Sequence, residues 1–472
     1  MTALSHVRFS FTLVVDTDLH IGDGRMCPLE TLRPGLSRRR TADDPAQAED
    51  TGPLVKTIVR DHDKRPILPA TSLKGVLKEA LTGSLDKAEI DRLFGTITGG
   101  KHDKDGKTDK RDKTDSGQMG RFTFHAAVLD RSDSPSTFSG LPYFDDTAGT
   151  WVATHVAISR NDGTADPRKL FNMEMVPAGG RFLVDGIWFG DMEDAKLSLP
   201  RLLAPLRRPD GVSIGSGGRI GRGRVSLGRA ADVRLWETAF NPKTGLVDTT
   251  PGKSPVILTV PKTAMDGAVK ILDFTCDGPF ASVDPSPRPG DNRGNLIRSL
   301  GRDDARPVIH PDGVSGALRS RAAWLSALHD LGGDDRFRKP ETWADPEELT
   351  PVERLFGVTG WRGLLRQSFI KQPVAAEHTH YTSVALDAFT GGVLDSTLFE
   401  HEVYVGVSFS LALSLDRRVD DDNTPMVTQG DRNLLELLLD DVTGDVLPLG
   451  HATNRGFGWF SVTHASPERS AR

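Results

Sequence analysis

The chain has 472 residues, too many for one ordinary hydrophobic core, so two or three domains are expected. Hydrophobic residues at 37% beside 26% charged exclude a disordered chain, and a net charge of −6 means that any nucleic-acid contact must be a local basic stripe or shared with partner subunits. Two cysteines, Cys27 and Cys276, with no CxxC pair, exclude a cysteine-built zinc site and a disulfide framework; with no run long enough for a signal or a membrane span in the opening "MTALSHVRFSFTLVVDTDLH", a soluble cytoplasmic protein is expected.

In chain order, "VRFSFTLVV" (7–15) alternates as a strand does, and His20 follows it just ahead of Gly22 and Gly24. Residues 25–50 form a long irregular insertion. "LPATSLKGVLKEALTG" reads as a helix with Thr71 and Ser72 as cap candidates and Leu73, Val76, Leu77 and Ala80 on one apolar face. Lys74 and Lys78 stand one turn apart, which places both amines on one side. The stretch 99–118, "GGKHDKDGKTDKRDKTDSGQ", has almost no apolar residue and reads as a charged surface loop. "GRFTFHAAVL" (120–129) and "RFLVDGIWF" (181–189) read as strands. Between them, "THVAISRNDGTADPRKLFNMEMV" (154–176) reads as a projecting hairpin, with Leu170 and Phe171 on its second arm or in a core at its base.

Residues 213–228, "SIGSGGRIGRGRVSLG", interleave glycines with Arg219, Arg222 and Arg224. No Lys-Ser/Thr follows, so this is not a Walker loop, and a strand rather than a helix comes next, so no nucleotide cofactor is implied. Glycines let a backbone approach a ligand closely and adopt positive φ, and arginines add bidentate contacts. Such a loop grips a polyanion, Gly217, Gly218, Gly221 and the arginines being its candidate contacts; a tight hairpin with surface arginines is the plainer alternative.

The chain then repeats itself. "LIRSLGRDDARPVIHPDGVSGALR" (296–319) echoes 54–78, "RLFG" at 92–95 returns at 354–357, and 381–403 matches 154–176. The spacing Gly215-x5-Gly221-x-Gly223 returns as Gly450-x5-Gly456-x-Gly458 within 448–461. Four blocks in one order indicate a duplication. Residues 1–240 form one unit, 241–264 a connector and 265–472 a second unit. In the second, "VKILDF" (269–274) and "EVYVGVSFSLAL" (402–413) read as strands, and "GVSGALRSRAAWLSAL" (313–328) as a helix with Val314, Ala317, Leu318 and Trp324 on one face. Ser315 and Arg319 replace the two lysines, and Arg455 with Gly456 lies in the second glycine loop. His378 and His380 share a strand face but lack a third metal ligand. Strand, helix and returning strands in each half predict an α+β fold of two tandem ferredoxin-like (RRM-like) units with long insertions and projecting hairpins.

"DLHIGDG" (18–24), "PILPATSLKGVLK", "RLFG" and "GGRIGRGRVSLG", in this order, resemble the RAMP superfamily, and within it the crRNA-binding backbone subunits of type III CRISPR effector complexes, here in a fused two-unit form. The resemblance covers most of both halves; the second half has "CDGPFASVD" in place of an HIGG-like turn. It implies crRNA, complementary target RNA and other effector subunits as partners, with His20, Ser72, Lys74, Lys78, the first glycine loop, Arg319, Arg455 and Gly456 facing RNA, and the hairpins acting as thumbs that wedge between bases. It further implies Mg²⁺-dependent cleavage of target RNA by a loop carboxylate. The family's position for that carboxylate holds Val55 and Ile297, so the nearby Asp50 and Asp291 are the candidates for catalysis and metal binding. Two other readings stay open. One is a metal-independent, crRNA-maturing endoribonuclease with His20 or His451 as general base; the other is a scaffold without chemistry.

Overall fold

The structure, a computed structural model, describes residues 6–34, 53–82, 84–96, 117–131, 140–158, 165–228, 232–241, 246–249, 254–264, 269–283, 296–329, 331, 348–416, 418 and 424–465. The first unit is built on strand β1 (His6–Val15), whose alternating side chains bury Val7, Phe9, Phe11, Leu13 and Val15. After helix α1 (Ala70–Leu81) come β2 (Ala127–Asp130), β3 (Arg181–Phe189), α2 (Met192–Leu203) and β4 (Arg224–Leu227). All pairings are antiparallel in the order β4-β1-β3-β2, the ferredoxin-like arrangement.

The second unit repeats it. Strand β5 (Lys270–Phe280), α3 (Pro311–Leu328), β6 (Leu365–Val374), β7 (Val393–Leu415), α4 (Gln429–Gly444) and β8 (Trp459–His464) give the order β8-β5-β7-β6. Each unit has its own large apolar core, so the mixed α+β architecture of two tandem units is as expected.

The repeated "RLFG" has a structural reason in both units. It ends a short helix (Lys87–Phe94 or Pro351–Phe356) at a glycine with φ +83° or +92°, which side chains disfavour. Its arginine reaches the first turn of the next long helix: Arg92 pairs with Asp194 at 3.4 Å and Arg354 with Asp431 at 3.1 Å.

Several expectations need correction. Helix α1 starts at Ala70 behind Pro69, so Thr71 and Ser72 lie inside its first turn and do not cap it. On α3, Trp324 is half exposed and Ala322 and Leu325 take the inner face, because the buried stripe runs 314, 318, 322, 325. The strand expected at 120–129 is two short strands, Phe122–Phe124 and Ala127–Asp130. Within 241–264, Leu246–Thr249 and Val256–Thr259 pair with the strand Asp232–Asn241 and extend the first sheet. The charged stretch 99–116 lies outside the described residues.

Candidate functional site

The two glycine loops have one backbone. In the first, Ile214 N–H donates to the Gly223 carbonyl at 2.8 Å, Ser216 to His20 at 2.9 Å and Gly223 to Asp18 at 3.0 Å. In the second, Leu449 donates to Gly458 at 2.8 Å, His451 to Ala281 at 2.8 Å and Gly458 to Pro279 at 2.8 Å. The pairs 214/449, 216/451 and 223/458 therefore superpose in role, and Ala281 stands where His20 does. The second unit thus keeps the turn of "DLHIGDG" in backbone form without its sequence. Gly223 and Gly458 need no side chain, since a Cβ would overlap the Ile214 or Leu449 carbonyl oxygen, and φ is +64° and +65°.

Their outer faces differ. The first loop docks on the second unit. Arg222 is 5% exposed and its guanidinium meets Asp312 at the start of α3, with Nε to Oδ2 at 2.8 Å. Arg219 reaches Asp416 at 2.5 Å and Glu79 at 3.3 Å, and Arg224 donates to the Phe369 carbonyl. A Cβ on Gly221 would meet the Phe369 ring at 3.2 Å. Burial pushes the Asp312 carboxyl up, but the charge and hydrogen bonds of Arg222 bring it below the usual range. Arg219 and Arg222, expected to face phosphate, are thus engaged with carboxylates here, because fusion of the units places α3 and β6 against the loop. Further ties are Arg302 to Asp18 at 2.6 Å and Ser368 to the Asp210 carbonyl at 2.7 Å.

In the second loop, Phe457 replaces Arg222 and is buried against the Tyr381 and His401 rings. Trp459 replaces Arg224, half exposed. Asn454, Arg455 and Gly456 are exposed, so this loop offers one cation and backbone groups to solvent.

Of the helix-start residues, Lys78 is exposed. Lys74 lies half-buried over the Phe122 ring at 5.4 Å, and burial, then the Lys78 charge, lowers its pKa. Ser72 is half-buried in the same turn. Arg319, at the place of Lys78, donates to the Gly357 carbonyl at 2.6 Å. Gly217 and Gly218 are half-buried at the loop edge.

His20 is buried. Its Nδ1 lies 2.8 Å from the Glu174 carbonyl, and burial keeps the imidazole below its ordinary pKa. It holds the turn beneath the glycine loop, over a buried network in which the Glu174 carboxylate receives Thr150, Arg33 and Arg60 at 2.7, 3.1 and 2.5 Å. Sequence reasoning missed this network because its members are spread over residues 33–174.

Both expected hairpins are present. Trp151–Ile158 pairs with Ala165–Met175, and Glu377–Leu386 with the first part of β7. Leu170 and Leu398 are exposed, whereas Phe171 is half-buried and stacks on His155. Phe389, at the second tip, is 99% exposed. Along the second hairpin, His378 lies 3.2 Å from Asp304 and His380 pairs with Glu400 at 2.5 Å.

Val55 and Ile297 occupy equivalent places, each in parallel register with the returning hairpin strand, opposite Asn172 and His401. Val55 is fully buried against Leu29 and Val152. The residue types at these two positions do not fit a metal. Asp50 and Asp291 lie outside the described residues. Among the described residues, Asp61, His62 and Asp63 cluster at one exposed turn, where Arg65 engages both carboxylates at 2.9 and 3.2 Å. No helix among the described residues is long and apolar enough to cross a membrane.

No curated protein matches the chain. The family model of the RAMP superfamily matches twice, over residues 12–226 and 253–461, and so takes in both ferredoxin-like units and both glycine loops. The chain belongs to the RAMP superfamily, in tandem form, and with it to the CRISPR-associated RNA-binding proteins.

Proposed function

We propose that the chain is a crRNA-binding backbone subunit of a type III CRISPR effector complex, holding guide and paired target RNA along two consecutive units. The observation that carries this reading is the repeated glycine loop with one hydrogen-bond pattern inside two family-matched units. RNA carries its charge along a line, and a protein grips it with cations, backbone N–H groups and helix starts at intervals. Lys78 and Lys74 with Ser72 supply such a surface in the first unit, Arg455 and Gly456 in the second, and the exposed apolar residues of the two hairpins supply wedges.

Val55 and Ile297 favour a subunit that holds RNA without cutting it. Labelled target RNA in the assembled complex with Mg²⁺ then stays intact. Regularly spaced products that vanish one by one in Asp50→Ala and Asp291→Ala would overturn this part. Cutting of repeat RNA in EDTA would instead support a crRNA-maturing enzyme. The binding reading itself is tested by fluorescence anisotropy of a guide-length RNA. Lys74→Ala/Lys78→Ala is expected to weaken binding about tenfold and flatten the salt slope by about 2.

A further inference from the structure

The join between the units has an apolar centre as well as ionic ties. Trp151, Met173 and Met175 of the first unit share one buried cluster with Leu300 and Val308 of the second, and the Trp151 ring stacks 6.3 Å from His310 at 22°. Arg222 with Asp312 and Arg302 with Asp18 stand around it. The duplication shows what the same face holds on the second unit.

Strand register fixes the equivalents. Val55 lies opposite Asn172 and Ile297 opposite His401, both in parallel, so Met173 corresponds to Glu402 and Met175 to Tyr404. Trp151 pairs with Met175 and Ala153 with Met173, as His378 pairs with Tyr404 and His380 with Glu402. The apolar set Trp151, Ala153 and Met173 thus becomes His378, His380 and Glu402. These side chains are turned to charged neighbours: His378 lies 3.2 Å from Asp304, His380 2.5 Å from Glu400 and Glu402 4.0 Å from Arg298. Phe457 stands for Arg222. Pro279, whose carbonyl accepts the Gly458 N–H as that of Asp18 accepts the Gly223 N–H, stands for Asp18.

The opposing face of the first unit differs from that of the second as well. Ile67 donates to the Val59 carbonyl at 3.1 Å as Val308 does to that of Leu300 at 3.0 Å, so an aliphatic residue, here half-buried, is kept at that place. Thr71 stands for Asp312, and Arg60, aligned with Arg302, is engaged by Glu174 of its own unit at 2.5 Å. Set against one another as the internal faces are, two copies would press His378 and Glu402 on Ile67, oppose Phe457 to Thr71 and leave Arg60 facing Pro279. Taking a carboxylate out of water against an aliphatic side chain costs more than the contact returns, and such mismatches reject a partner without any steric clash.

We propose that this join cannot repeat between copies of the chain. The second unit's hairpin face excludes the first unit of another copy, so the tandem counts two units, and a longer array needs a different protein at that face. The inference stands on the duplication and does not depend on the RNA-binding reading.

Sedimentation velocity of the full chain tests it. The parent is expected to remain a monomer up to about 100 µM. His378→Trp/His380→Ala/Glu402→Met rebuilds the first unit's apolar set on the second and is expected to form dimers and longer species at about 10 µM. Adding Ile67→Lys, which charges the opposing face, is expected to return that variant to monomers. Parent oligomers that Ile67→Lys dissolves would overturn the proposal, since the join would then repeat as it stands. A rebuilt variant with a parent-like melting curve that stays monomeric, or whose association survives Ile67→Lys, would overturn it too, because the exchanged residues would not be what keeps the copies apart.

Discussion

Residues 214–223 and 449–458 trace the same turn, with the same three hydrogen bonds to neighbouring backbone, yet one is closed by protein and the other is open to solvent. The first spends Arg219, Arg222 and Arg224 on Glu79, Asp416, Asp312 and the Phe369 carbonyl. The second has Asn454, Phe457 and Trp459 in those places and leaves Arg455 exposed. A backbone that can meet a polyanion can equally meet an acidic helix start. What faces it decides the use. The join is also one-sided: Asp312 receives Arg222, whereas the equivalent place on α1 is Thr71, and Phe457 has no guanidinium to offer.

The comparison breaks most severely at the shared backbone. Gly223→Val and Gly458→Val force a Cβ into a carbonyl oxygen at positive φ, and each is expected to lower unfolding free energy by roughly 2–4 kcal/mol, equally in the two loops. Chemical denaturation measures this. A large inequality would mean that the loops are not structurally equivalent.

The next effect separates them. Arg222→Ala leaves Asp312 partly buried without its partner, at a cost of about 3 kcal/mol. It should split thermal unfolding into two transitions as the units uncouple, while Arg455→Ala leaves stability unchanged within about 0.5 kcal/mol.

Acid should loosen the join as well. His155 has a folded pKa of about 3 against 6.5 ordinarily, with His310, Asp312, Arg222 and His20 around it. The folded state therefore binds fewer protons than the unfolded one, so stability is full above pH 6.5 and falls as pH drops towards 3. The Asp312 carboxyl, lowered by Arg222, withdraws its own contribution only as pH falls below the ordinary 3.8. Melting temperature against pH is expected to slope less in His155→Phe than in the parent chain between pH 6 and 4.

The smallest effect sharpens the loop comparison. Ala452 holds φ +58° where the first loop has Gly217 at +78°. Ala452→Gly is expected to stabilise by about 1 kcal/mol, and Gly217→Ala to destabilise by a similar amount.

How much of this was legible in the residues depends on sequence distance. The alternation of 7–15, the helix at 70–81 and the glycine spacing are local patterns, and all appear where expected. Helices α2 and α4 were missed although both carry start signals. Asp191 caps the first, and Thr428 with Asp431 forms a capping box on the second. The role of Arg222 could not be read, since Asp312 lies 90 residues away and nothing local distinguishes a guanidinium destined for carboxylate from one destined for phosphate. Trp324 misled because a tryptophan on a helix usually packs inward; here it stays half exposed, with the Arg321 guanidinium 5.0 Å from its ring.

The central claim is that RNA meets the open second loop and the lysine-bearing first helix, while the first loop's arginines hold the units together. Anisotropy titrations of one guide-length RNA against the parent chain, Arg455→Glu and Arg222→Met, at several salt concentrations, test it most directly. The account predicts that Arg455→Glu weakens binding about tenfold with a shallower salt slope, and that Arg222→Met keeps the parent slope. A slope reduced by Arg222→Met and untouched by Arg455→Glu would contradict it.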